Sequence, residues 1–251
     1  MLYLHKPQTW YIAKLKSIDS KLEELPDVKM GQHKGRTVIW FHSESGRREI
    51  RPRSREWATL FESAQIRTEL ISEKRRLLEE WKTYFSGTYD QIKHLYQVDS
   101  TRRAALTSAF WNNLTDNACT YEKSTEYNFD GHNFRSRFEM SVAEVIVSLN
   151  IPYKYEPCIQ IGDNNYYPDF ALDFPEFNAC ILGEVMGKMH EHKYAYDSGQ
   201  KIAIYSTAGI ILGRDAFILC GTDKFIPNPD NIKRDIINIV DKLSSVYVHK
   251  Q

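Results

Sequence analysis

The sequence predicts an α/β protein whose first part, residues 1–127, is mainly helical and whose second part, residues 128–251, mixes helices with strands. In the second part, helical spacing alternates with apolar runs of strand length, in the order helix, three strands, helix, one or two strands, helix. In the first part, a helical pattern over 54–85 follows a β-hairpin pattern. Periodicity is lost over 114–130, and we therefore expect the domain boundary there.

The composition is typical of a globular protein without a membrane span. With 251 residues, of which 42% are hydrophobic and 26% charged, the chain is long enough to bury a sizeable core. No apolar run approaches the roughly 18 residues of a membrane helix, and the N-terminus lacks the basic and apolar segments of a signal peptide. We therefore expect a cytoplasmic protein with no membrane partner.

The spacing of the cysteines and the distribution of charge limit the kinds of binding site that we expect. The four cysteines are far apart and form no CxxC pair, so we expect reduced thiols rather than a zinc site or disulfides. Residues 1–127 carry 21 Lys and Arg against 17 Asp and Glu, whereas residues 128–251 carry 12 against 16. A basic first part and an acidic second part suit a polyanion-binding surface joined to a cation-binding site.

Helical patterns dominate the first part. Residues 10–24 place apolar side chains at helical spacing, and Pro26 ends that helix. The pattern over 54–85 is an apolar stripe with charges between its members, which is typical of a helix that contacts a partner protein or a second copy of the chain. Two shorter helical segments are expected at 87–97 and 101–113.

A β-hairpin rich in arginine lies between the first two helices. The segments RTVIWF (36–41) and RREIR (47–51) are expected to pair across the turn SESG. Five arginines within the nine residues 47–55 either guard an exposed strand edge or contact nucleic-acid phosphates. The density of arginine favours the second interpretation. The candidate nucleic-acid-binding residues are Arg36, Arg47, Arg48, Arg51 and Arg53.

The second part begins with a helix over 135–150. Its apolar face leaves Glu139 at the margin and Glu144 pointing away, so Glu139 is expected to be half-buried and Glu144 exposed. The elements that follow are predicted as strands at 158–162, 166–174 and 179–186, a helix at 191–206, short strands at AGIILG and AFILCG, and a closing helix at 228–246.

Two carboxylates interrupt the apolar strands of the second part. Asp169 lies between Pro168 and Phe170, and Glu184 lies inside the apolar run ACILGEVM. A carboxylate in such a strand is costly unless it is partnered, and neighbouring strands can bring the two together at one end of a sheet. Two carboxylates, with water and a substrate phosphate, match the oxygen ligands that Mg²⁺ prefers.

These segments, in this order, resemble the PD-(D/E)XK nuclease superfamily. The matching motifs are Glu139 in RSRFE, Pro168-Asp169 in YYPDF and Glu184 in GEVMGKM. The chain looks most like a bacterial branch with RSxxE, YE, PDF and ExxGxM motifs, and the resemblance covers roughly residues 130–245. Further matching positions are Arg135, Ser136, Tyr155, Glu156, Gly187, Met189, Tyr194 and Lys201.

The resemblance implies a restriction-endonuclease-like αβββαβ core and a divalent metal, Mg²⁺ or Mn²⁺. It implies that Asp169, Glu184 and the carbonyl of Val185 bind the metal, and that Glu139 holds a metal-bound water or a second ion. The sequence departs from the family pattern at the lysine of the Glu-x-Lys motif, where Met186 stands and cannot orient a water.

Another lysine can supply the missing amine. Helical spacing puts Lys201 on the same face of its helix as Tyr194 and Tyr205, and that face can turn toward the end of the sheet. We therefore prefer Lys201 to Lys188 as the residue that positions the attacking water. The structural alternative is a Lys201 stem packed on the sheet with its amine in solvent.

The sequence thus predicts a Mg²⁺-dependent deoxyribonuclease, with DNA held by the arginine-rich hairpin through its backbone rather than its bases. The alternative is a nuclease fold that has lost catalysis with the lysine and acts as a nucleic-acid or protein-binding module. A third hypothesis is an assembly subunit that contacts its partner through the 54–85 helix. His190 and His192 are weaker candidates for metal ligands.

Overall fold

The computed structural model describes residues 6–43, 46–98, 103–222 and 224–249. It is a mixed α/β structure, 45% helical and 24% strand, with several small sheets. The chain divides into two compact units, an N-terminal unit, Gln8–Gln97, and a C-terminal unit, Val98–Val248. This division lies earlier than the boundary placed at residue 127, because the segment around Trp111 belongs to the C-terminal unit, where the Trp111 indole donates to the Ala171 carbonyl.

The N-terminal unit contains two long helices and a small sheet. Its helices are α1 (Gln8–Glu24), α2 (Trp57–Tyr84) and α3 (Tyr89–Ile92), the last followed by a 3₁₀ turn at Lys93–Leu95. Its strands are β1 (Val28–His33), β2 (Arg36–Ser43), β3 (Gly46–Ile50) and β4 (Tyr96–Val98). The helices expected at 10–24 and 54–85 are α1 and α2. The helix expected over 87–97 is instead a single α-helical turn, a 3₁₀ turn and a short strand.

The sheet of the N-terminal unit is antiparallel, with the order β1–β2–β3. β2 and β3 form the predicted hairpin, whose turn contains residues 44 and 45, outside the described residues. β1 had no sequence prediction, because VKMGQH is largely polar and mostly exposed. One face of the sheet packs against α2 through a core of Val28, Ile39, Ile50 and Ala64. The other face is turned away from this core.

The C-terminal unit contains four helices and a series of short strands in its described part. The helices are α4 (Ser108–Asn113), α5 (Arg137–Ser148), α6 (His192–Thr207) and α7 (Pro229–Ser244). The strands are β5 (Asn128–Phe129), β6 (His132–Asn133), β7 (Tyr153–Tyr155), β8 (Ile159–Ile161), β9 (Asn164–Tyr166), β10 (Phe170–Phe174), β11 (Ala179–Met186), β12 (Ala216–Cys220) and β13 (Tyr247–His249). α4 is shorter than the helix expected over 101–113, of which residues 101 and 102 lie outside the described residues.

A four-stranded sheet in the order β12–β11–β10–β7 forms the centre of this unit. β10 is antiparallel to both β7 and β11, whereas β12 runs parallel to β11. A parallel neighbour requires a crossover, and α6 lies between β11 and β12 in the chain. Tyr205 of α6 packs on the sheet in a core that includes Ala171, Cys180 and Leu182.

Three strand predictions in this unit differ from the structure in different ways: the first strand is present but pairs elsewhere, the second is present in part, and the third is not a strand. The strand predicted at 158–162 is β8, which pairs with β9 in a separate hairpin, and the three-residue β7 takes its place in the central sheet. The strand predicted at 166–174 is interrupted before Asp169, since Pro168 has no amide hydrogen to donate to a ladder. AGIILG (208–213) forms turns, with one isolated bridge from Leu212 to Ala216.

The helix boundaries follow from local capping. Ser136 accepts a hydrogen bond from the amide of Glu139 at the start of α5. Asn228 does the same for the Asn231 amide at the start of α7, where Pro229 occupies the first turn.

All four cysteines are free thiols. None of the helices in the described part of the chain combines the length and apolar character of a membrane span.

Candidate active site

Asp169 and Glu184 meet at one end of the central sheet. Phe170 of β10 pairs with Gly183 of β11, so Asp169, one residue earlier, stands opposite Glu184, one residue later. The Oδ2 atom of Asp169 accepts a 2.6 Å hydrogen bond from the amide of Val185. Only 7% of Asp169 and 4% of Glu184 are exposed. Like charges directly opposite each other on neighbouring strands repel, so this pair requires compensation by cations.

Helix α6 supplies the partners of Glu184. The Tyr205 hydroxyl donates a 2.6 Å hydrogen bond to Oε1 of Glu184, and the Lys201 amine donates a 2.7 Å bond to Oε2. The same amine donates a 2.8 Å bond to the carbonyl of Tyr167. The Lys201 amine therefore lies at the carboxylates rather than in solvent, contrary to the structural alternative.

Glu139 is held at the start of α5. The Ser136 hydroxyl donates a 2.9 Å hydrogen bond to Oε1 of Glu139, while Oε2 accepts from the Tyr155 hydroxyl at 2.6 Å and the Arg135 amide at 3.2 Å. The S-x-x-E spacing is that of a capping box, but Glu139 accepts from the Arg135 amide, one residue before the N-cap Ser136. Glu139 thus holds the chain that enters the helix as well as facing the site. It is buried, with 7% exposed, rather than half-buried. The reason is that both of its oxygens have local donors.

A further buried carboxylate, Glu156, orients Arg135. Nη2 of Arg135 lies 2.5 Å from Oε1 of Glu156 and 3.5 Å from Oδ1 of Asp169. Nζ of Lys123 lies 2.8 Å from Oε2 of Glu156. The Glu156 backbone has a φ of 42°, in the left-handed region that non-glycine residues rarely adopt. Its amide donates to the Asp169 carbonyl at 2.9 Å, so Glu156 fixes Arg135 beside Asp169.

The carboxylates of this site share a poorly hydrated environment. Burial, and after it the charge of Asp169, raises the pKa of Glu139 and of Glu184 to about 7. Burial also raises the pKa of Asp169, against the opposing effects of Lys201, the Val185 amide and Arg135. Ionising one carboxyl makes ionisation of the next harder. A positive charge placed among them would therefore favour the ionised forms.

These side chains border a cavity of about 500 Å³. Its lining includes Arg135, Glu139, Asp169, Glu184, Tyr194 and Lys201. Lys188 also borders the cavity, but 61% of its side chain is exposed and its amine is 3.9 Å from Glu191. Met186 is part of the lining and is buried. Of the two lysine candidates, Lys201 is the one that contacts a site carboxylate.

The donor chemistry fits a divalent cation at Asp169 and Glu184. Both supply carboxylate oxygens, which Mg²⁺ and Mn²⁺ prefer, and each oxygen has a second lone pair beyond its present hydrogen bond. Nη2 of Arg135 lies 3.5 Å from Oδ1 of Asp169, beyond hydrogen-bond distance for a charged pair. In the described ranges, no group of three or more His, Cys, Asp or Glu side chains is arranged to hold a metal ion. A cation here would need the carbonyl of Val185, water or substrate to complete its ligands.

Several candidates lie away from this cluster. Glu144 is exposed on α5, as expected. His190 and His192 are both exposed near the start of α6 and do not line the cavity. Among the described residues, therefore, neither histidine joins the carboxylates.

The structure adds residues to which the sequence assigned no role. Arg135 and Glu156 matched the family motifs without a function, and Tyr205 was only placed on the same helix face as Lys201. Glu156 shows the same sequence pattern as Glu184, since both are acidic residues between apolar neighbours. The neighbours of Glu156 are Tyr155 and Pro157. Lys123 lies in the aperiodic connector and gives no sequence signal.

In the N-terminal unit, the five candidate arginines do not form one cluster. Arg36, Arg51 and Arg53 line a cleft, and the Arg47 guanidinium lies 3.8 Å from the centroid of the Trp40 ring. Arg48 is directed elsewhere and forms two hydrogen bonds with Glu56, at 3.2 and 2.8 Å. Arg47 and Arg48 lie on opposite faces of β3, because neighbouring residues of a strand point to opposite sides. Arg48 is therefore separated from the other four candidate arginines.

Comparison of the chain with protein families, with curated proteins and with solved structures finds no match.

Proposed function

We propose that the C-terminal unit hydrolyses phosphodiester bonds of DNA with the help of Mg²⁺ or Mn²⁺ held at Asp169 and Glu184. The observation that carries the proposal is the pairing of these two buried carboxylates on neighbouring strands, at the edge of a cavity that Arg135 and Lys201 also border. A cavity with clustered acids for a cation, and with cationic side chains for a phosphate, suits phosphoryl chemistry.

The order of elements supports the same proposal. α5, β7, β10, β11, α6 and β12 follow one another as helix, three antiparallel strands, helix and a parallel strand, with a small hairpin between β7 and β10. The resemblance of the sequence to the PD-(D/E)XK superfamily implies an αβββαβ order, and this succession of elements supports it. The acidic residues also lie at the sheet end, where that resemblance expects a metal.

Asp169, Glu184 and the carbonyl of Val185 would hold the cation, which when bound acidifies water and neutralises charge developing on the phosphodiester. Glu139 borders the same cavity and, with a pKa of about 7, is suited to hold a water by accepting its proton. Glu184 lies on β11 and Asp169 immediately precedes β10, so the sheet sets the positions of both carboxylates.

The cationic side chains have distinct roles in this proposal. Lys201, held by Glu184 and by the Tyr167 carbonyl, would orient the attacking water and stabilise the negative transition state. Arg135 uses Nη2 for Glu156 and Asp169, which leaves other N–H groups of its fork for a phosphate oxygen.

The test is cleavage of labelled single-stranded, duplex and supercoiled DNA in Mg²⁺ or Mn²⁺ by the wild type and by Asp169→Asn. Asparagine retains an oxygen for the Val185 amide, so the fold should persist while cleavage falls by more than about 100-fold, the upper range for a partner that does not touch the metal. The matched control is Asp173→Asn, since Asp173 is also buried on β10 but bonds Ser108, outside the cavity lining. Wild-type protein that cleaves none of these substrates would refute the proposal.

A second candidate function is favoured by a specific observation. Met186 stands where the resemblance expects the catalytic lysine, and Lys201 and Tyr205 already satisfy both oxygens of Glu184. Such a unit could bind nucleic acid or a protein without hydrolysis. It predicts salt-sensitive binding that survives Asp169→Asn, with no cleavage in either metal.

A further inference from the structure

The sheet of the N-terminal unit presents a basic face on the side opposite its core. The register pairs Trp40 with Glu49 and His42 with Arg47, so these residues share one face, whereas Ile39 and Ile50 point into the core with α2. Alternation assigns Arg36 to the face of Trp40, since the two are four residues apart on β2. We call this surface the basic face and define it by Arg36, Trp40, Arg47, Glu49 and Arg51.

A cleft of about 690 Å³ opens at one end of the basic face. Four of its lining residues are cationic, namely Lys34, Arg36, Arg51 and Arg53. Glu49 is the one carboxylate in the lining, and it is already engaged by Arg51 at 2.7 Å and by the ring of His33. Among the described residues, Arg36 and Arg53 have no carboxylate partner. The cleft therefore carries an excess of unpaired positive charge.

Two of the cationic residues that line the cleft, Lys34 and Arg53, have backbone φ angles in the left-handed region. Lys34 and Gly35 form the turn between β1 and β2 with φ values of 51° and 74°, and Arg53 follows β3 with a φ of 85°. Long side chains are uncommon in this left-handed region. Positive φ at Lys34 and Gly35 is what a two-residue hairpin turn requires, so the strained conformation is that of Arg53. Here both bends bring cations to the edge of one cleft.

Arg47 extends the cationic surface beyond the cleft. Its guanidinium lies over the Trp40 ring, and Gly31 leaves room for that ring, because a Cβ there would lie 2.7 Å from the indole nitrogen. Stacking holds the guanidinium flat and leaves its N–H edge free, since Arg47 has no carboxylate partner within the described residues. At about 3.3 Å per residue, Arg47 and Arg51 are roughly 13 Å apart along β3.

This spacing favours a polymeric anion over a single phosphate. Nucleotides repeat at about 3.4 Å along one strand of DNA, so 13 Å corresponds to about four nucleotides. Charges on the outer strand β3 can be explained as protection of an exposed sheet edge against pairing with other strands. Arg36 lies on the central strand β2, which is paired on both sides, so this explanation does not apply to it. An arginine stacked on an aromatic ring also offers a planar surface to an unpaired base.

We propose that the basic face binds the phosphodiester backbone of a nucleic-acid strand through Arg36, Arg47, Arg51 and Arg53, independently of hydrolysis in the C-terminal unit. Arg48 of the same hairpin takes no part. It points to the core side, where its partner Glu56 neutralises it.

The test compares Arg36→Gln with Arg48→Gln in the full chain. Both variants remove one positive charge from the same sheet, but from opposite faces. Binding of labelled oligonucleotides of about 20 nucleotides, single-stranded and duplex, is measured by fluorescence anisotropy over a range of salt in EDTA, so that no cleavage occurs. Circular dichroism checks that both variants fold.

Arg36→Gln should bind about five- to eightfold more weakly near 0.1 M salt and reduce the salt slope by about 0.7–0.9, the value for one lost phosphate contact. Arg48→Gln should bind within about twofold of the wild type, because its charge is already paired. Tighter binding of the single strand or of the duplex identifies which form supplies the backbone. Equal losses in the two variants, no binding by the wild type, or an Arg36 effect seen only with vesicles of anionic lipid would each overturn the proposal. Binding in EDTA is unaffected by a failure of the proposed hydrolysis.

Discussion

Raising the pH should destabilise the C-terminal unit in the presence of a chelator. Glu139 and Glu184 have pKa values of about 7 in the folded protein against 4.5 for an ordinary Glu. Between these two pH values the folded state binds more protons than the unfolded chain, so the free energy of unfolding falls as the pH rises. The stabilisation is present below about pH 4.5 and is lost by about pH 7 to 8.

The magnitude follows from the shift. A shift of about 2.5 units corresponds to about 3 kcal/mol for one carboxyl, at 1.36 kcal/mol per unit. The two carboxyls interact through Asp169, so their effects are not additive. A loss of about 3 kcal/mol is large against the usual 5–15 kcal/mol of a domain.

The assay is urea unfolding followed by circular dichroism from about pH 5 to pH 8 in EDTA, fitted with two transitions if the units unfold separately. Glu184→Gln removes a titrating carboxyl but keeps an acceptor for Tyr205, so its free energy of unfolding should fall less with pH than that of the wild type. Glu144→Gln is the control, because Glu144 is an exposed glutamate of the same unit. Equal pH dependence in the wild type and Glu184→Gln would refute the reasoning.

The same unfolding experiment, repeated with a divalent cation, tests whether the cation binds at these carboxylates. In the proposed site Mg²⁺ would bind the ionised, folded form, so saturating metal should restore stability at about pH 8, by about 2.7 kcal/mol at a concentration of 100 Kd. Glu184→Gln and Asp169→Asn should lose this restoration.

Two further predictions concern the lysines and the sheet. Lys201→Met should reduce metal-dependent cleavage by more than about 100-fold while Lys188→Met stays near the wild type, since one amine contacts Glu184 and the other is largely exposed; equal losses in initial rate would contradict the preference for Lys201. Gly183→Ala should destabilise the C-terminal unit by about 1–3 kcal/mol in urea, because its Cβ would lie 2.5 Å from the Phe217 ring. Gly199→Ala is the control, since nothing lies within 4 Å of its Cβ and helix propensity should stabilise it by up to about 1 kcal/mol; a Gly183→Ala protein as stable as this control would show that the ring can move aside.

The sequence predicted those elements whose burial imposes a period. α2 and α7 have amphipathic patterns, and β11 is a run of apolar residues interrupted by Glu184, since all eight of its residues are buried. β1 and β7 were not predicted, and the reasons are physical. β1 is mostly exposed and polar, and β7 has only three residues, too few to show alternation. Their places depend on pairing with distant strands, which periodicity does not encode.

The candidate site, like the fold, was predictable only where burial leaves a pattern in the sequence. Carboxylates in apolar strands are conspicuous, and helical spacing suffices to relate Lys201 to Tyr205. The faces of the arginine-rich hairpin were not predictable, because they depend on the register that pairs Trp40 with Glu49. A shift of one residue would have exchanged Arg47 and Arg48 between the two faces.

The position of Lys201 gives a physical reason why Met186 can occupy the place of the family lysine. Glu184 and Met186 are two residues apart on β11, so their side chains leave the same face of the sheet. α6 covers that face, since Tyr205 bonds Glu184 and packs on Leu182. The Lys201 amine enters from α6 and reaches Glu184 at 2.7 Å. A second lysine at position 186 would have to bury another amine beside the first, at the cost of like-charge repulsion. An apolar side chain at position 186 avoids this repulsion, and in the proposed hydrolysis the amine comes from the helix instead of the strand.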